Sequence, residues 1–228
     1  MPPSQPPPSQ PPLSHRTAVL VTRPQPAADR LAGRLRAQGL SVQVAPLMRI
    51  VPVAHDAAAL ARAPGLVFTS AHAVAMAGPG LDRPAMCVGP ATADAARAAG
   101  FRVTVGPGDA AGLLPLLTGL DGWLHPRGTH VAAVLPVPGV IVYDQQALPL
   151  PDAARALLDA PAPVIVPAFS PRSARLAAAA MQGARAPLRV AAISAAAADA
   201  WTPPPAMLAV AETPDEPGVI AAIRSLAG

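Results

Sequence analysis

The chain has 228 residues, of which 52% are hydrophobic, 13% charged and 3% aromatic. This apolar content excludes a globally disordered chain, and the length fits one large domain or two small ones. All 17 basic residues are Arg; with 13 acidic residues they give a formal net charge of +4 and are spread singly along the chain. Nucleic-acid-binding proteins more often show basic clusters, so we expect no nucleic-acid partner. A modest positive charge suits a small anionic ligand.

Metal-binding and membrane-spanning patterns are missing from the sequence. The single cysteine, Cys87, excludes an intrachain disulfide and a Cys-rich metal site, and we expect it to be a small buried side chain. No apolar run reaches the roughly 18 residues of a membrane span, and residues 1–12 lack the basic start and apolar core of a secretory signal. We therefore expect a cytoplasmic protein that binds neither metal nor membrane. The histidines, which form no HExxH motif or i, i+4 pair, are His15, His55, His72, His125 and His130.

Short apolar runs of strand length alternate with helical patterns after residues 1–16, a Pro/Ser/Gln-rich tail that we expect to be disordered. This alternation predicts an α/β fold with parallel sheets. Residues 47–53 and 144–151 are predicted as extended connectors. The predicted strands are 17–22, 41–45, 65–69, 85–88, 102–105, 122–125, 139–143, 164–167, 188–193 and 207–210. The predicted helices are 24–38, one from residue 71, 91–99, 109–117, 152–158, 171–182, 195–201 and 215–226.

Two parts of the chain resemble each other in the same order. The matching pairs are FTSAHAV (68–74) with FSPRSA (169–174), CVGPATADAA (87–96) with AISAAAADA (192–200), and GPGDAAGLLPLL (106–117) with AETPDEPGVIAAI (211–223). The members of each pair lie about a hundred residues apart, which indicates an internal duplication; chance similarity in an Ala-rich chain is the alternative. The sequence therefore predicts two similar parallel-sheet α/β units.

Hydroxyl side chains recur where predicted strands give way to helices. In open parallel sheets, ligands bind beyond the carboxyl ends of the strands, where helix N-termini present free N–H groups. Such hydroxyls could form a receptor for carboxylates, or each could cap its own helix. The candidate hydroxyl residues are Thr69, Ser70, Thr92, Ser170 and Ser194.

Two arginines and one tyrosine complete the candidate site. Arg23 ends the first predicted strand and Arg127 lies in HPRG (125–128), where each could pair with a carboxylate or be ordinary surface charge. Tyr143 ends a predicted strand beside the second connector, and we expect its hydroxyl to face a cleft between the units; core packing is the alternative. The sequence contains no GxGxxG, GKS or GKT loop and no GxSxG elbow, so nucleotide binding and serine-hydrolase chemistry are unsupported.

The ordered set of motifs resembles the uroporphyrinogen-III synthase family. VLVTRPQPAADRLAGRLRAQG (19–39), VGPATADAARAAG (88–100) and the Val-Tyr pair at 142–143 occur in the family's order, together with the segments above. The resemblance covers nearly everything but the tail. Two features depart from the family. AISAAAA (192–198) stands where the family usually has an IGPTTA-like turn, and the stretch from 128 to 139 is short, so the usual helix there is expected to be cut down.

The resemblance implies two similar parallel-sheet α/β domains joined by a two-stranded linker ladder, with the active site in the interdomain cleft. Residues 17–46 plus 150–228 would form a discontinuous first domain and residues 53–143 an inserted second domain. Residues 47–52 and 144–149 would be the hinge linkers.

The resemblance also implies a reaction. Family members cyclise hydroxymethylbilane, a linear tetrapyrrole with two carboxylates on each ring, with loss of water and inversion of the last pyrrole ring, and they use no metal and no cofactor. Tyr143 would act near the leaving hydroxyl, and Thr69, Ser70, Thr92 and Ser170 would bind substrate. We expect a monomeric, cofactor-independent cyclising hydro-lyase of heme biosynthesis; the alternative is a non-catalytic two-domain protein that binds anions or tetrapyrroles.

Overall fold

A computed structural model of the protein describes residues 17–131 and 133–228, so the tail predicted at residues 1–16 lies outside the described residues. Parallel sheets flanked by helices make up the described chain, which confirms the predicted α/β class. The strands, numbered along the chain, are β1 (Ala18–Val21), β2 (Ser41–Val44), β3 (Met48–Pro52), β4 (Leu66–Phe68), β5 (Pro84–Cys87), β6 (Arg102–Val105), β7 (His125–Gly128), β8 (Gly139–Ala147), β9 (Val164–Ala168), β10 (Leu188–Ala192) and β11 (Met207–Val210). The helices are α1 (Ala27–Ala37), α2 (Ala57–Arg62), α3 (Ala71–Met76), α4 (Pro90–Ala98), α5 (Ala110–Leu113), α6 (Asp152–Asp159), α7 (Pro171–Ala180), α8 (Ala195–Asp199) and α9 (Glu216–Ala227).

The described chain consists of two compact units. Unit 1 comprises residues 17–47 and 148–228. Its five parallel strands lie in the order β11-β10-β9-β1-β2. Neighbouring side chains on a strand point to opposite faces, and both faces of this sheet are packed: Leu20 belongs to one core cluster, and its neighbours Val19 and Val21 belong to another. Strands buried on both faces need apolar residues at every position, which explains the continuous apolar runs in the sequence.

Unit 2 comprises residues 48–147. It contains a parallel sheet in the order β4-β5-β6 and a second sheet in the order β3-β8-β7, in which β7 and β8 are parallel and β3 and β8 antiparallel. A parallel bridge between Leu66 and Leu124 joins the two sheets, and the Val67 N–H donates to the Leu124 carbonyl at 2.9 Å. The strand order across this junction is therefore β6-β5-β4-β7-β8-β3.

The repeated segments occupy equivalent places in the two units. The order β6-β5-β4-β7-β8 of unit 2 matches the order β11-β10-β9-β1-β2 of unit 1. FTSAHAV leads from β4 into α3, and FSPRSA leads from β9 into α7, with Ser70 and Ser170 as the respective N-caps. The topology therefore agrees with the duplication that the sequence indicates.

The sequence misplaces the strand that carries HPRG. The sequence predicts a strand at 122–125, which stops before Pro126, a residue that lacks the N–H of a regular ladder. In the structure Gly122 is a turn residue with φ of +76°, and β7 runs from His125 to Gly128. Its pairing with β8 tolerates Pro126, and His125 is consequently a buried strand residue.

The second predicted connector is also partly a strand. The sequence ends a strand at Tyr143, whereas β8 continues to Ala147 because residues 144–147 pair antiparallel with β3. Residues 48–52 and 144–147 therefore form a two-stranded ladder, and both belong to unit 2. The hinge role predicted for residues 47–52 and 144–149 stays a prediction.

Three helix predictions need correction. The predicted helix 109–117 is the short α5 followed by a 3₁₀ turn, Leu114–Leu117, because Pro115 has no N–H for the α-helical ladder. α1 begins at Ala27 and not at residue 24, and α8 ends at Asp199. The sequence also misses α2, which begins after Asp56, whose carboxylate accepts from the Ala59 N–H at 2.8 Å.

No helix links β7 to β8 in residues 129–131 and 133–138. Parallel strands are usually joined by a crossover of a dozen or more residues, most often a helix. Here the connection instead contributes Leu135 and Val137 to a core cluster with Val67 and Met86. This agrees with the expectation that the family's usual helix is cut down.

Arg83 stabilises the turn between α3 and β5. Leu81 and Asp82 in this turn adopt positive φ angles of 50° and 60°, a backbone conformation that is unfavourable for non-glycine residues. The guanidinium lies 5.5 Å from the ring centroid of Phe101. Its N–H groups donate to the backbone carbonyls of Leu60, Ala61, Ala63, Pro79 and Gly80.

We expect Arg83→Lys to destabilise unit 2. A lysine ammonium presents three donors from a single point and cannot reach carbonyls on both sides of the turn, so the free energy of unfolding should fall by roughly 2 kcal/mol. Urea unfolding followed by circular dichroism measures this change. Arg62→Lys, at an exposed position of α2, is the matched control, and equal midpoints for the two variants would contradict the assignment.

Candidate functional site

The carboxyl ends of β4 and β7 meet in unit 2 at a place where the strand order reverses. From β4 the chain proceeds to β5 and β6 on one side, and from β7 it proceeds to β8 on the other. In open α/β sheets such a switch point is where ligands bind, because the connections on its two sides leave in opposite directions and open a crevice. The polar residues at this edge are therefore the first candidates for a site.

Thr69, directly after β4, is hydrogen-bonded to a buried histidine from the neighbouring strand. Its Oγ1 lies 2.9 Å from Nε2 of His125, which is 2% exposed, whereas Thr69 itself is half-buried. Burial, and to a lesser extent the charge of Arg127, lower the pKa of His125 from 6.5 to about 4. The imidazole is consequently neutral at physiological pH and has one donor and one acceptor nitrogen.

Ser70, the next residue, bonds to a second buried side chain. Its hydroxyl makes a hydrogen bond with Tyr143, which is 3% exposed, and it also accepts from the His72 N–H at 3.2 Å as the N-cap of α3. Burial raises the pKa of Tyr143, although its hydrogen bonds with Ser70 and the backbone of Gly128 act in the opposite direction. The phenol therefore keeps its proton at neutral pH.

A bulge beside Tyr143 fixes the direction of its side chain. Arg127 pairs with Ile141 and Gly128 with Tyr143, so β8 has one extra residue, Val142, at this point. Val142 and Tyr143 are both buried in the same core cluster, which a regular strand with alternating faces would not allow. A Cβ at Gly128 would lie 2.6 Å from Cε2 of Tyr143, so the ring requires glycine there.

Arg127 is half-buried at the end of β7. Its Nη1 donates to the Gly128 carbonyl at 3.0 Å, and it makes no ion pair with any residue in the described part of the chain. A Cβ at Gly139 would lie 2.5 Å from its Nε, so this glycine leaves the space that the guanidinium occupies. The remaining N–H groups are suited to a carboxylate of a ligand.

Arg23 in unit 1, in contrast, already has a carboxylate partner. Its Nη1 donates to Glu216 at 2.7 Å, Arg34 approaches the other oxygen of the same carboxylate at 3.1 Å, and the guanidinium lies over the ring of Phe169 at 4.0 Å. Burial lowers the pKa of Arg23, and the charge of Glu216 opposes that shift. A substrate carboxylate would have to share Arg23 with Glu216.

Three of the other candidate hydroxyls have structural partners or are buried. Ser170 caps α7 in a capping box with Ser173, and Ser194 caps α8 by accepting from the Ala197 N–H at 3.3 Å. Thr92, on α4 after β5, is only 6% exposed. The capping alternative thus applies to Ser70, Ser170 and Ser194, and substrate contacts at these positions stay predictions.

The structure therefore brings Thr69 together with His125 and Ser70 together with Tyr143 in unit 2, and Arg127 lies two residues after His125 on the same strand. His125 is absent from the site residues predicted from the sequence, because it forms no HExxH motif or i, i+4 pair that would mark it as functional. Glu216 and Phe169, the partners of Arg23, are also absent from those predicted residues. The only sequence signal for His125 was its place in HPRG, next to the candidate Arg127.

The described residues contain neither a membrane-spanning helix nor a metal-binding cluster. No helix there is both long enough and apolar enough to span a membrane. Residues 17–131 and 133–228 also contain no cluster of three or more His, Cys, Asp or Glu side chains that could hold a metal ion.

Fold and site together define an α/β protein whose parallel sheets gather hydroxyl and arginine side chains at strand ends. Residues 29–221 match the family model described as "Uroporphyrinogen-III synthase HemD". The chain belongs to the uroporphyrinogen-III synthase family, which confirms the resemblance in its motifs.

Solved structures of similar fold come from the same family. Uroporphyrinogen-III synthetase from Helicobacter pylori is 14% identical, with 92% of this chain and 99% of that chain covered and a TM-score of 0.62. A mutant uroporphyrinogen III synthase from the extremely thermophilic bacterium Thermus thermophilus is also 14% identical, with 92% and 97% covered and a TM-score of 0.54. No curated protein matches the chain. At this identity the likeness shows the fold alone.

Acidification is expected to destabilise unit 2 through His125. Its pKa is about 4 in the folded protein against an ordinary 6.5, so between these values the unfolded chain binds a proton that the folded chain does not. The free energy of unfolding should therefore fall as the pH falls from 6.5, by on the order of 3 kcal/mol at pH 4. Urea unfolding at pH 7, 5.5 and 4 measures this change. The fall in the free energy of unfolding should be smaller in His125→Phe than in the wild-type protein. An equal fall in both would refute the assignment to His125.

Proposed function

We propose that the protein is a uroporphyrinogen-III synthase, a cyclising hydro-lyase that acts on hydroxymethylbilane without a cofactor. The observation that carries this proposal is the pair of adjacent hydroxyls, Thr69 and Ser70, held at a strand end by buried His125 and Tyr143 in a member of this family. The substrate is a small polycarboxylate. We propose no nucleic-acid partner and no membrane partner. The monomeric state and the cytoplasmic location stay predictions.

The reaction requires the protein mainly to orient the two ends of a flexible linear substrate. The terminal hydroxyl of hydroxymethylbilane takes a proton and leaves as water, and the resulting cationic azafulvene closes on the last pyrrole ring, which is inverted through the spiro intermediate. Without the protein the two ends close without inversion. Orientation of the reactive ends should therefore supply most of the rate enhancement and the choice of isomer.

The unit 2 site offers the groups that this task needs. Thr69 and Ser70 are half-buried hydroxyls that can donate to a carboxylate or to the leaving hydroxyl, and Arg127, close enough to His125 to lower its pKa, supplies a positive charge. Tyr143 keeps its proton at neutral pH and bonds to Ser70. We propose that Tyr143 supports proton delivery to the leaving hydroxyl with Ser70 between them, because its own hydroxyl is buried.

The candidate residues of unit 1 already have partners within that unit. Arg23 is shared with Glu216, and the hydroxyls of Ser170 and Ser194 cap helices, although a capping hydroxyl leaves other N–H groups of its helix for a ligand. We propose these three, with Thr92 in unit 2, as further substrate contacts. That the active site lies in a cleft between the units stays a prediction.

A non-catalytic protein that binds anions or tetrapyrroles is the second candidate. The observation in its favour is that unit 1 has only Ser194 in the turn before α8, where the family usually has a richer hydroxyl turn, and that this serine is engaged as a cap. A binder would take up a tetrapyrrole but would not change the isomer formed.

The assay that separates the two candidates uses fresh hydroxymethylbilane and identifies the cyclic product by chromatography. We expect the type III isomer to form faster than the spontaneous type I isomer that appears without protein. Type I product alone, at the spontaneous rate, would exclude the synthase and leave the binder. Heat-denatured protein provides the control for the spontaneous reaction.

We expect Tyr143→Phe to lower kcat by roughly tenfold or more, because it removes a hydroxyl next to the proposed proton path. The ring, with its edge contact to His72 at 5.9 Å between centroids, is retained, so the protein should stay folded with a loss of about 1 kcal/mol in stability. Steady-state kinetics and thermal unfolding measure the two effects. Ser225→Ala, which removes a hydroxyl bonded to the Ala222 carbonyl in α9, is the control. Full turnover in Tyr143→Phe would remove this residue from the mechanism.

A further inference from the structure

His125 is a buried polar residue to which the proposed mechanism assigns no step of its own. It lies in β7 at 2% exposure, and its ring contacts Thr69, a residue 56 positions earlier in the chain, through Nε2. The same strand carries Arg127 two residues further on, at the edge where the candidate ligand groups meet. A purely apolar side chain would fill this core position without the cost of burying a polar ring.

The neutral imidazole can hold the Thr69 hydroxyl in one of two ways. If Nε2 carries the proton, it donates to Oγ1, and the Thr69 proton is left for an acceptor outside the sheet. If Nε2 is unprotonated, it accepts the Thr69 proton, and only the oxygen of Thr69 faces a ligand. A substrate rich in carboxylates presents acceptors, so the first arrangement is the useful one.

We propose that His125 is a positioning residue whose Nε2–H donates to Thr69 and aims the Thr69 proton at a carboxylate or hydroxyl oxygen of the substrate. This inference rests on the proposed synthase function. It goes beyond the family resemblance, which assigns a role to Thr69 but none to His125.

The neighbouring pair, Ser70 and Tyr143, has the same arrangement as Thr69 and His125. Ser70 is half-buried and is held by Tyr143 from β8, just as Thr69 is half-buried and held by His125 from β7. Two consecutive hydroxyls at one strand end are thus fixed by buried side chains from the two adjacent strands of the other sheet. A hydroxyl whose rotation is fixed before binding gives up less freedom when the ligand arrives.

The test compares His125→Phe, which keeps a ring of similar shape without a hydrogen bond, with His125→Gln, whose amide nitrogen can take the place of Nε2. We expect His125→Phe to lower kcat/KM about tenfold, the effect of one lost hydrogen bond, and His125→Gln to restore most of it. Thr69→Val should cause a similar loss, and the double variant His125→Phe/Thr69→Val should lose no more than either single variant. His130→Phe, at an exposed position five residues later, is the matched control.

A direct measurement of the hydrogen bond accompanies the kinetics. In the wild-type protein at pH 7.5, long-range ¹⁵N spectra of the imidazole should show the Nε2-protonated tautomer, and Thr69→Val should shift the Nε2 signal. An Nδ1-protonated ring would overturn the proposed direction of donation. Thermal unfolding at the same pH shows whether each variant is folded, and a variant that unfolds is replaced by His125→Leu.

The outcomes separate this inference from the proposed function. A wild-type protein that forms only the type I isomer overturns the synthase and, with it, a role for His125 in catalysis. A wild-type protein that forms the type III isomer, together with a fully active and folded His125→Phe, overturns the inference alone. Multiplied losses in the double variant would also overturn it, because they would show that the two residues act independently.

Discussion

The narrow junction between β4 and β7 is the constraint on which the candidate site depends. One bridge, Leu66 to Leu124, joins this part of the two sheets, and beyond it Thr69, directly after β4, bonds to His125, the first residue of β7. Unit 1 has the same arrangement: β1 and β9 pair only as far as Ile165, and beyond that point Arg23 lies over Phe169. Strands that separate after a short ladder leave room for side chains at the point where the order of a parallel sheet reverses.

Burial then sets the chemistry of the unit 2 site. Removal from water disfavours the charged form of any group, so it lowers the pKa of His125 and raises that of Tyr143, and both residues are neutral near pH 7. Two neutral rings can orient hydroxyls without attracting or repelling a polycarboxylate. The positive charge is left to Arg127, which is half-buried and open to a partner. In unit 1 the balance differs, since Glu216 already offsets the charge of Arg23.

The sequence predicts well those features that depend on neighbouring residues. Continuous apolar runs identify the buried parallel strands, and the Ser70 and Ser170 turns show where helices begin. It fails where the cause lies far along the chain. The extension of β8 depends on pairing with β3, and the partner of Arg23 is 193 residues away. His125 is hidden for a different reason: it forms no HExxH motif or i, i+4 pair that would mark it as functional.

The short link between β7 and β8 has a consequence for how the chain reaches this structure. Closing a loop costs entropy that grows with its length, and a connection of residues 129–138 is brief for two parallel strands. The two strands that carry His125 and Tyr143 can therefore pair early in folding, before β4 arrives from a more distant part of the chain. In that order of events, the two buried rings are in place before Thr69 and Ser70 form their hydrogen bonds with them.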